Sequence, residues 1–210
     1  MRDSLLNRRV FSSSLLLSSL APGVALAQAA AASLGQNAPD FSALDTAGKP
    51  HRLADFKGKL VVLEWTNPGC PFVRKHYSGN MQSLQKEYTA KGVVWLAINS
   101  TESQSADYLQ PAKLAAWLSD KQASPSATLM DESGKIGQLY GAKTTPHMYI
   151  ISPQGKLIYA GAIDSIASAR TDDIKTATNY VRQGLSESLS GKAISVASSR
   201  AYGCSVKYKT

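Results

Sequence analysis

Cysteine is scarce in this chain, which has only Cys70 and Cys204 among its 210 residues. A framework of several disulfides is therefore excluded, but a chain of this length can bury a sizeable core without such cross-links. In an exported protein, two cysteines usually pair with each other. A bond between these two would tie the end of the chain to a turn that lies far earlier in the sequence.

Clusters of basic residues are also missing. The chain has 23 Lys and Arg against 15 Asp and Glu, which gives a net charge of +8, but the basic residues are spread along the sequence. No Lys/Arg cluster is interleaved with aromatic residues, and this argues against nucleic acid as a partner. The charge supports only a mild attraction to anionic surfaces.

No apolar run is long enough for a permanent membrane span. The candidate, residues 12–26, is rich in Ser and is interrupted by Pro and Gly, so we expect no stable membrane insertion. Arg8-Arg9 precede this run, and Ala25-Leu26-Ala27 fits the small-x-small pattern of a signal peptidase site. We therefore predict a signal peptide over residues 1–27 and a periplasmic or secreted mature protein. Residues 8–11 resemble a twin-arginine signal, with an ordinary secretory signal as the alternative.

The sequence pattern of the remaining residues predicts a single α/β domain. Alternating strand-like and helix-like segments, without an internal repeat, indicate an α/β fold or a three-layer α/β/α sandwich. We predict a linker over residues 28–37, a domain over residues 38–190 and a tail over residues 191–210 that carries Cys204. The predicted elements include hairpins over residues 41–53 and 147–160, a helix over residues 71–91 with an interruption at Gly79 and Asn80, and a terminal helix over residues 172–189 capped by Thr171.

Cys70 is the strongest candidate for a reactive residue. It follows a strand-like run, residues 60–65, and a Pro-Gly turn, and it stands where a helix would start. Unpaired backbone N–H groups and the helix dipole stabilise a thiolate there, and Arg74 and Lys75 add positive charge. We expect this thiol near the surface, with a small buried hydrophobic residue as the alternative. The thiolate is the nucleophile, so the position predicts redox or thiol-transfer chemistry.

Glu64 lies inside the apolar run that precedes Cys70. Burying a carboxylate costs free energy unless it has a role or a partner. Burial should raise the pKa of Glu64, which makes it a candidate proton carrier for the Cys70 thiol. The alternative is an ion pair with a lysine such as Lys57 or Lys59.

Two stretches resemble a known family. Residues 140–156, Y-G-A-K-T-T-P-H-M-Y-I-I-S-P-Q-G-K, resemble the Y-G-V-x-x-x-P-x-x-x-(I/L)-(I/L)-D-x-x-G-K segment of thioredoxin-fold proteins, and residues 70–75, C-P-F-V-R-K, resemble their C-P-P-C-R-K. Over residues 38–185 the chain is thus similar to the thioredoxin superfamily, in the redoxin branch of alkyl-hydroperoxide-reductase-like and thiol-specific-antioxidant-like proteins. The resemblance implies a thioredoxin-like three-layer α/β/α sandwich with an N-terminal β-hairpin extension.

The resemblance implies roles for Thr145 and Pro146 in substrate binding. It implies that the peptide bond before Pro146 is cis and that this turn lies beside Cys70, where its backbone can dock an extended substrate strand and the proline blocks metal capture. A trans proline that starts an edge strand is the alternative. Thioredoxins also bury an Asp six residues before their first cysteine, which is the offset of Glu64 from Cys70.

Two departures from the family pattern limit which activities the resemblance implies. Val73 stands where C-x-x-C has its second cysteine, so no thiol of the same helix can resolve a mixed disulfide, and Asn67 stands where peroxiredoxins have Thr or Ser. The chain resembles the peroxiredoxin-like group whose single cysteine matches the first thioredoxin cysteine. This implies an exported thiol-disulfide oxidoreductase or antioxidant enzyme without a cofactor. A thiol peroxidase that reduces hydroperoxides is the alternative activity.

Cys204 is the candidate resolving thiol. Gly203 gives it the backbone freedom to approach Cys70. We expect the Cys70 thiolate to attack a disulfide or an oxidised sulfur, Cys204 to condense with the product, and an external thiol reductant, such as a membrane or periplasmic thioredoxin-like protein, to restore both thiols. The alternatives are a permanent structural Cys70–Cys204 bond and a tail cysteine that never reaches Cys70.

A copper-binding chaperone is the alternative from the class of binding proteins. Cys70, Cys204, His147 and Met148 could supply soft ligands for Cu(I). Against this interpretation, the C-x-x-x-C spacing of thioredoxin-fold copper chaperones is absent. His147 could lie near the sulfur of Cys70, whereas His76 is expected to be exposed.

Overall fold

The computed structural model describes residues 31–209, and the predicted signal peptide lies outside this range. Its centre is a five-stranded mixed sheet with helices on both faces. The helices and strands are, in chain order, β1 (Ser42–Leu44), β2 (Pro50–Arg52), β3 (Val61–Trp65), α1 (Pro71–His76), α2 (Asn80–Ala90), β4 (Val94–Asn99), α3 (Pro111–Asp120), β5 (Ala127–Met130), α4 (Lys135–Tyr140), β6 (Thr144–Thr145), β7 (His147–Ile151), β8 (Leu157–Gly161), α5 (Tyr180–Leu189) and β9 (Cys204–Ser205), with short 3₁₀ helices at Leu53–Phe56 and Thr171–Lys175.

The strand order of the sheet is β5-β4-β3-β7-β8. Strands β3, β4 and β5 are parallel, β7 pairs antiparallel with β3, and β8 pairs antiparallel with β7. All residues of β3, β4 and β7 are buried. Their nearly continuous apolar runs, interrupted within β3 by Glu64, are typical of strands that are covered on both faces.

Two separate cores lie on the two faces of the sheet. The first contains Cys70 and is filled from α1, α2, α3 and α5, for example by Tyr77 and Met81. The second is filled from α4, the first 3₁₀ helix and the neighbourhood of the β1–β2 hairpin, for example by Phe41 and Tyr140. The predicted three-layer α/β/α sandwich with an N-terminal hairpin is therefore confirmed.

The long helix predicted over residues 71–91 is broken, as expected, at Gly79, where φ is +132°. The break separates α1 from α2 and leaves α1 as a short helix directly behind Cys70. A positive φ of this kind is readily adopted only by Gly.

The terminal helix predicted over residues 172–189 is wrong in its first half. The helix α5 begins only at Tyr180, and its N-cap is Asn179, whose side chain accepts from the backbone N–H of Arg182 at 2.9 Å. The residues before Asn179 do not continue the helix, because Thr178 is hydrogen-bonded to Ser165 instead. The N–H of Ser165 donates to the carbonyl of Thr178, and the N–H of Thr178 donates to Ser165 Oγ, both at 3.0 Å. Thr171 therefore starts only a 3₁₀ turn.

The described part of the predicted linker forms no helix or strand, but backbone hydrogen bonds attach it to the domain. Ala32 donates to the carbonyl of Leu139, and Gly35 and Gln36 are hydrogen-bonded to Leu157. Within residues 31–209, no helix combines the length and the apolar character that a membrane crossing needs.

Candidate active site

Cys70 is the N-cap residue of α1 and is brought there by a tight turn after β3. The side chain of Asn67 shapes this turn, since its Oδ1 accepts from the N–H of Gly69 at 2.7 Å and its Nδ2 donates to Thr101 Oγ1 at 2.9 Å. The backbone N–H of Cys70 in turn donates to the carbonyl of Asn67 at 3.0 Å. Asn67 therefore holds the loop and supplies no hydroxyl to the sulfur.

Thr145 and Pro146 lie beside the Cys70 thiol. The peptide bond between them is cis, as the resemblance predicts. The Cys70 thiol donates a hydrogen bond to the carbonyl oxygen of Thr145 at 2.9 Å. The side chain of Thr145 is itself buried.

The C-terminal strap, defined here as residues 198–208, crosses this turn and brings Cys204 to it. Within the strap, β9 pairs antiparallel with β6, and the partner of Cys204 in this register is Thr145. Gly203 makes the approach possible: its φ is +135°, and a Cβ there would lie 2.0 Å from the carbonyl oxygen of Thr145. Only Gly fits such a contact.

The two sulfurs differ in exposure. Cys70 is only 2% exposed and packs into the first core, so the expectation of a surface thiol is wrong. The sequence could not show that the strap covers it. Cys204 is partly exposed, and both cysteines are free thiols.

The pKa values of the two cysteines are shifted in opposite directions. Burial alone would raise the pKa of Cys70, but hydrogen bonding to the side chains of Cys204 and Thr145 and to the backbone N–H groups of Val73 and Cys204 lowers it below its ordinary value. Burial raises the pKa of Cys204 to about 11, and the hydrogen bond to Cys70 acts in the same direction. Cys70 is therefore the thiol that ionises first, while Cys204 keeps its proton.

Arg74 and Lys75 do not direct their charges at the sulfur. Arg74 Nε donates to the carbonyl of Pro68 at 2.7 Å. Lys75 is buried, and its Nζ donates to Asp164 Oδ2 at 3.4 Å and to the carbonyl of Ile166 at 3.2 Å. Their predicted role in stabilising the thiolate is therefore taken over by hydrogen bonds from the backbone and from Cys204.

His76 is buried, and the expectation that it is exposed is wrong. Its Nε2 lies 3.1 Å from the hydroxyl of Tyr202 in the strap and 3.8 Å from Asp164 Oδ2. Asp164 also accepts from Tyr202 and Lys75. Sequence reasoning missed this buried polar cluster, and the only signal was the position of Tyr202 two residues before Cys204.

Glu64 is fully buried in the layer between the sheet and α2. Its Oε1 accepts from the hydroxyl of Tyr77 at 2.8 Å, and its Oε2 accepts from the indole of Trp95 at 2.7 Å and from the amide of Gln85 at 3.1 Å. These partners are neutral, so the alternative of an ion pair with Lys57 or Lys59 is wrong. Burial raises the pKa of Glu64, against the opposing effect of these hydrogen bonds. None of its hydrogen bonds reaches Cys70.

The ligands considered for copper lie on two faces of the sheet. His147 packs in the second layer, where its Nδ1 accepts from the N–H of Lys143 at 3.3 Å and contacts the hydroxyl of Tyr149 at 3.2 Å. Cys70 and Met148 belong to the core of the opposite face. Across residues 31–209, no group of three or more His, Cys, Asp or Glu side chains has a geometry that could hold a metal ion.

The chain is similar to known proteins in sequence and in fold. The model of the AhpC/TSA family matches residues 34–160. A similar relative is the thiol-disulfide oxidoreductase ResA of Bacillus thuringiensis subsp. konkukian, with 31% identity over 127 residues, which are 60% of this chain and 67% of that protein. A similar solved structure is a hypothetical protein of Sinorhizobium meliloti 1021, with a TM-score of 0.74 and 25% identity over 87% of this chain and 98% of that one. Another is an uncharacterized conserved protein of Geobacillus kaustophilus, with a TM-score of 0.72 and 26% identity over 84% of this chain and 93% of that one. The chain belongs to the AhpC/TSA family, with a thioredoxin-like fold.

Proposed function

We propose that the protein is a thiol-disulfide oxidoreductase that uses Cys70 as the nucleophile and Cys204 as the resolving thiol. The observation that carries this proposal is the pairing of Cys204 with Thr145, the residue whose carbonyl accepts from the Cys70 thiol. A cysteine far away in the sequence thus replaces the missing second cysteine at Val73. Relatives such as ResA support the same class of reaction.

The proposed reaction starts from the Cys70 thiolate. Its sulfur attacks a substrate disulfide, forms a mixed disulfide and releases one substrate thiolate. The sulfur of Cys204 then attacks the Cys70 sulfur, and its proton goes to the second substrate sulfur as that group leaves. The substrate disulfide gains two electrons and becomes one thiolate, which takes a proton from water, and one thiol, while the two cysteines lose these electrons and become one disulfide.

An external dithiol completes the cycle by reducing the Cys70–Cys204 bond. Its thiolate attacks the sulfur of Cys204, because this sulfur is the more exposed of the two. Cys70 is the better leaving group, since the thiol of lower pKa leaves faster. A thioredoxin-like protein is the class of partner that fits this step.

Thr145 and Pro146 are proposed to hold the substrate. The cis peptide bond between them lies beside the Cys70 thiol, where the backbone can dock an extended substrate. Glu64 is proposed as a proton carrier for the Cys70 thiol, although it does not contact the sulfur. Its raised pKa keeps a protonated carboxyl group inside the first core.

We also propose that the mature protein acts after export, in the periplasm or as a secreted protein. The predicted signal peptide supports this location, since residues 1–27 combine Arg8-Arg9, an apolar run and a small-x-small site. N-terminal sequencing of the protein from the exported fraction tests the proposal. A start near Gln28 agrees with it, and an intact residue 1–27 segment contradicts it.

The alternatives have less support. A thiol peroxidase would need a hydroxyl where Asn67 stands, and a copper chaperone would need His147 on the face of Cys70. Loss of hydrogen peroxide in the presence of the reduced protein tests the first, with Cys70→Ser as control. Titration with Cu(I) against a competing chelator tests the second, with the variant that lacks both cysteines as control.

The proposal is tested with oxidised glutathione as the disulfide probe. We expect Cys204→Ser to accumulate a glutathione adduct on Cys70, whereas the wild type releases the glutathione and forms the Cys70–Cys204 bond. Mass spectrometry across a series of glutathione redox buffers follows both species, and Cys70→Ser with Cys204→Ser is the control. A bond that resists reduction, with a potential of about −300 mV or lower, would make the pair structural and overturn the proposal. A stable adduct on the wild type would overturn it as well.

A further inference from the structure

Tyr202 joins the strap to the helix that starts at Cys70. Its ring packs edge to face on Phe72, with 5.8 Å between the ring centroids, and Lys75 Nζ lies 5.7 Å from the centre of the ring. Both partners belong to α1, and Tyr202 precedes Cys204 by two residues. A single side chain therefore links the segment that carries one cysteine to the helix that carries the other.

The hydrogen bonds of Tyr202 have a defined direction. Asn80 Nδ2 donates to His76 Nδ1 at 2.8 Å, so the proton of this imidazole is on Nε2 and is donated to the Tyr202 oxygen at 3.1 Å. The Tyr202 hydroxyl then donates to Asp164, whose other oxygen accepts from Lys75. Burial lowers the pKa of His76 to about 4, which agrees with a neutral ring. Within residues 31–209, Tyr202 is the only member of this hydrogen-bonded series that comes from the strap.

A second tyrosine holds the other end of the strap. The Tyr208 hydroxyl donates to the carbonyl of Ala142 at 2.7 Å. Its ring fills the space beside Gly134 and Gly137, and a Cβ at Gly137 would lie 2.3 Å from the Tyr208 oxygen. Cys204 thus lies between two side-chain anchors while both cysteines are free thiols, so the strap is closed without a covalent bond.

We propose that Tyr202 is a positioning residue, whose hydrogen bonds to Asp164 and His76 keep the strap closed and hold Cys204 at Cys70. This inference rests on the proposed function, because it concerns the placing of the resolving thiol. A held strap raises the effective concentration of Cys204 at the Cys70 sulfur. It also covers Cys70, so the same anchor favours resolution and limits the access of external reagents.

The variant Tyr202→Phe tests both effects. It keeps the ring on Phe72 and removes both hydrogen bonds, which should shift the opening equilibrium by about tenfold. We expect iodoacetamide to alkylate Cys70 of the reduced protein about tenfold faster, and closure of the Cys70–Cys204 bond to become slower by a similar factor. Mass spectrometry resolves the alkylated site, and the second release of thionitrobenzoate from one equivalent of Ellman's reagent reports closure.

Tyr88→Phe is the matched control. Tyr88 is a buried tyrosine that, like the partly buried Tyr202, makes two hydrogen bonds, to the carbonyl of Arg182 at 3.0 Å and to Ser186 Oγ at 2.8 Å, but it lies away from the strap. The variant should leave both rates unchanged. His76→Gln, which keeps a donor in place of Nε2, should stay close to the wild type, whereas His76→Leu, which removes one of the two hydrogen bonds, should show a smaller effect than Tyr202→Phe.

The inference is overturned if alkylation of Cys70 in Tyr202→Phe keeps the wild-type rate, or if Tyr88→Phe gives the same increase. Alkylation needs no turnover, so it reports the anchor independently of the reaction. Faster alkylation together with a Cys70–Cys204 pair that never cycles would contradict the proposed function alone. A pair that cycles normally, with unchanged rates in Tyr202→Phe, would contradict the inference alone.

Discussion

Cys204 pairs with Thr145 across β6 and β9, and the same Thr145 accepts the hydrogen bond of the Cys70 thiol. One residue therefore contacts both cysteines, through strand pairing on one side and through its carbonyl oxygen on the other. It also precedes Pro146, at the turn where the family resemblance places an extended substrate. The strap thus covers, with the protein's own chain, the backbone edge proposed for the substrate. We expect a substrate polypeptide and the strap to compete for this edge.

The first prediction concerns Gly203. A Cβ at this position would lie 2.0 Å from the carbonyl oxygen of Thr145, so Gly203→Ala should separate β9 from β6. We expect a large loss in the rate of Cys70–Cys204 closure and faster alkylation of Cys70. The domain should remain folded, because both cores lie outside the strap apart from a few peripheral contacts.

Gly191→Ala is the control for backbone strain. Gly191 also has a positive φ, of +71°, but a Cβ there would meet no atom within 4 Å. This variant should lose about 1 kcal/mol of stability and keep the wild-type rate of closure. Equal rates of closure in the two variants would show that the contact with Thr145 does not place Cys204.

The second prediction concerns the buried ion pair of Lys75 and Asp164, whose side chains are 0% and 2% exposed. In Asp164→Asn the ammonium group of Lys75 stays buried without a counter-charge, and such a change costs about 3–5 kcal/mol. We expect a loss of this size in the free energy of unfolding, measured with urea. Asp172→Asn breaks the exposed pair with Lys175, and it should leave the stability unchanged. Similar losses in both variants would contradict the prediction.

The third prediction concerns Glu64. Its folded-state pKa lies above the ordinary 4.5, so above pH 4.5 the folded chain keeps a proton that the unfolded chain releases. The contribution of Glu64 to stability is therefore complete below pH 4.5 and is lost as the pH rises through the folded-state pKa. In Glu64→Gln this loss is absent, and we expect a flatter stability curve from pH 4.5 upward in urea unfolding.

The same variant tests the proton-carrier role. If Glu64 carries the proton of the thiol, the pH–rate profile of Cys70 exchange changes in Glu64→Gln. An unchanged profile would leave Glu64 as a buried acceptor for Tyr77, Trp95 and Gln85.

Much of the domain could be predicted because its signals are local. The apolar run of β3, the break at Gly79 and the two hairpins each depend on neighbouring residues, and the cis bond before Pro146 follows from the motif around it. Cys70 and Cys204 were recognisable as candidates because the chain has no other cysteine.

The environment of the candidate site depends on contacts between distant parts of the chain. Lys75 and His76 look like the exposed end of a helix, but their partners Asp164 and Tyr202 lie 89 and 126 residues later in the chain. The burial of Cys70 has the same cause, since the strap that covers it comes from the C-terminal end. No local pattern of charge or periodicity contains this information.

The last prediction concerns the contribution of His147 to the pH dependence of the free energy of unfolding. Burial, with a smaller effect from the charge of Lys143, lowers its pKa from 6.5 to about 4. Between these values the unfolded chain binds a proton that the folded chain excludes, so the contribution of His147 is complete above pH 6.5 and falls by about 1.4 kcal/mol for each pH unit below it. In His147→Asn the amide oxygen can accept from the N–H of Lys143 in place of Nδ1, but the side chain does not titrate. The variant should therefore lose less stability than the wild type between pH 6.5 and 4 in urea unfolding. Parallel curves for the two proteins would show that His147 is protonated in the folded state.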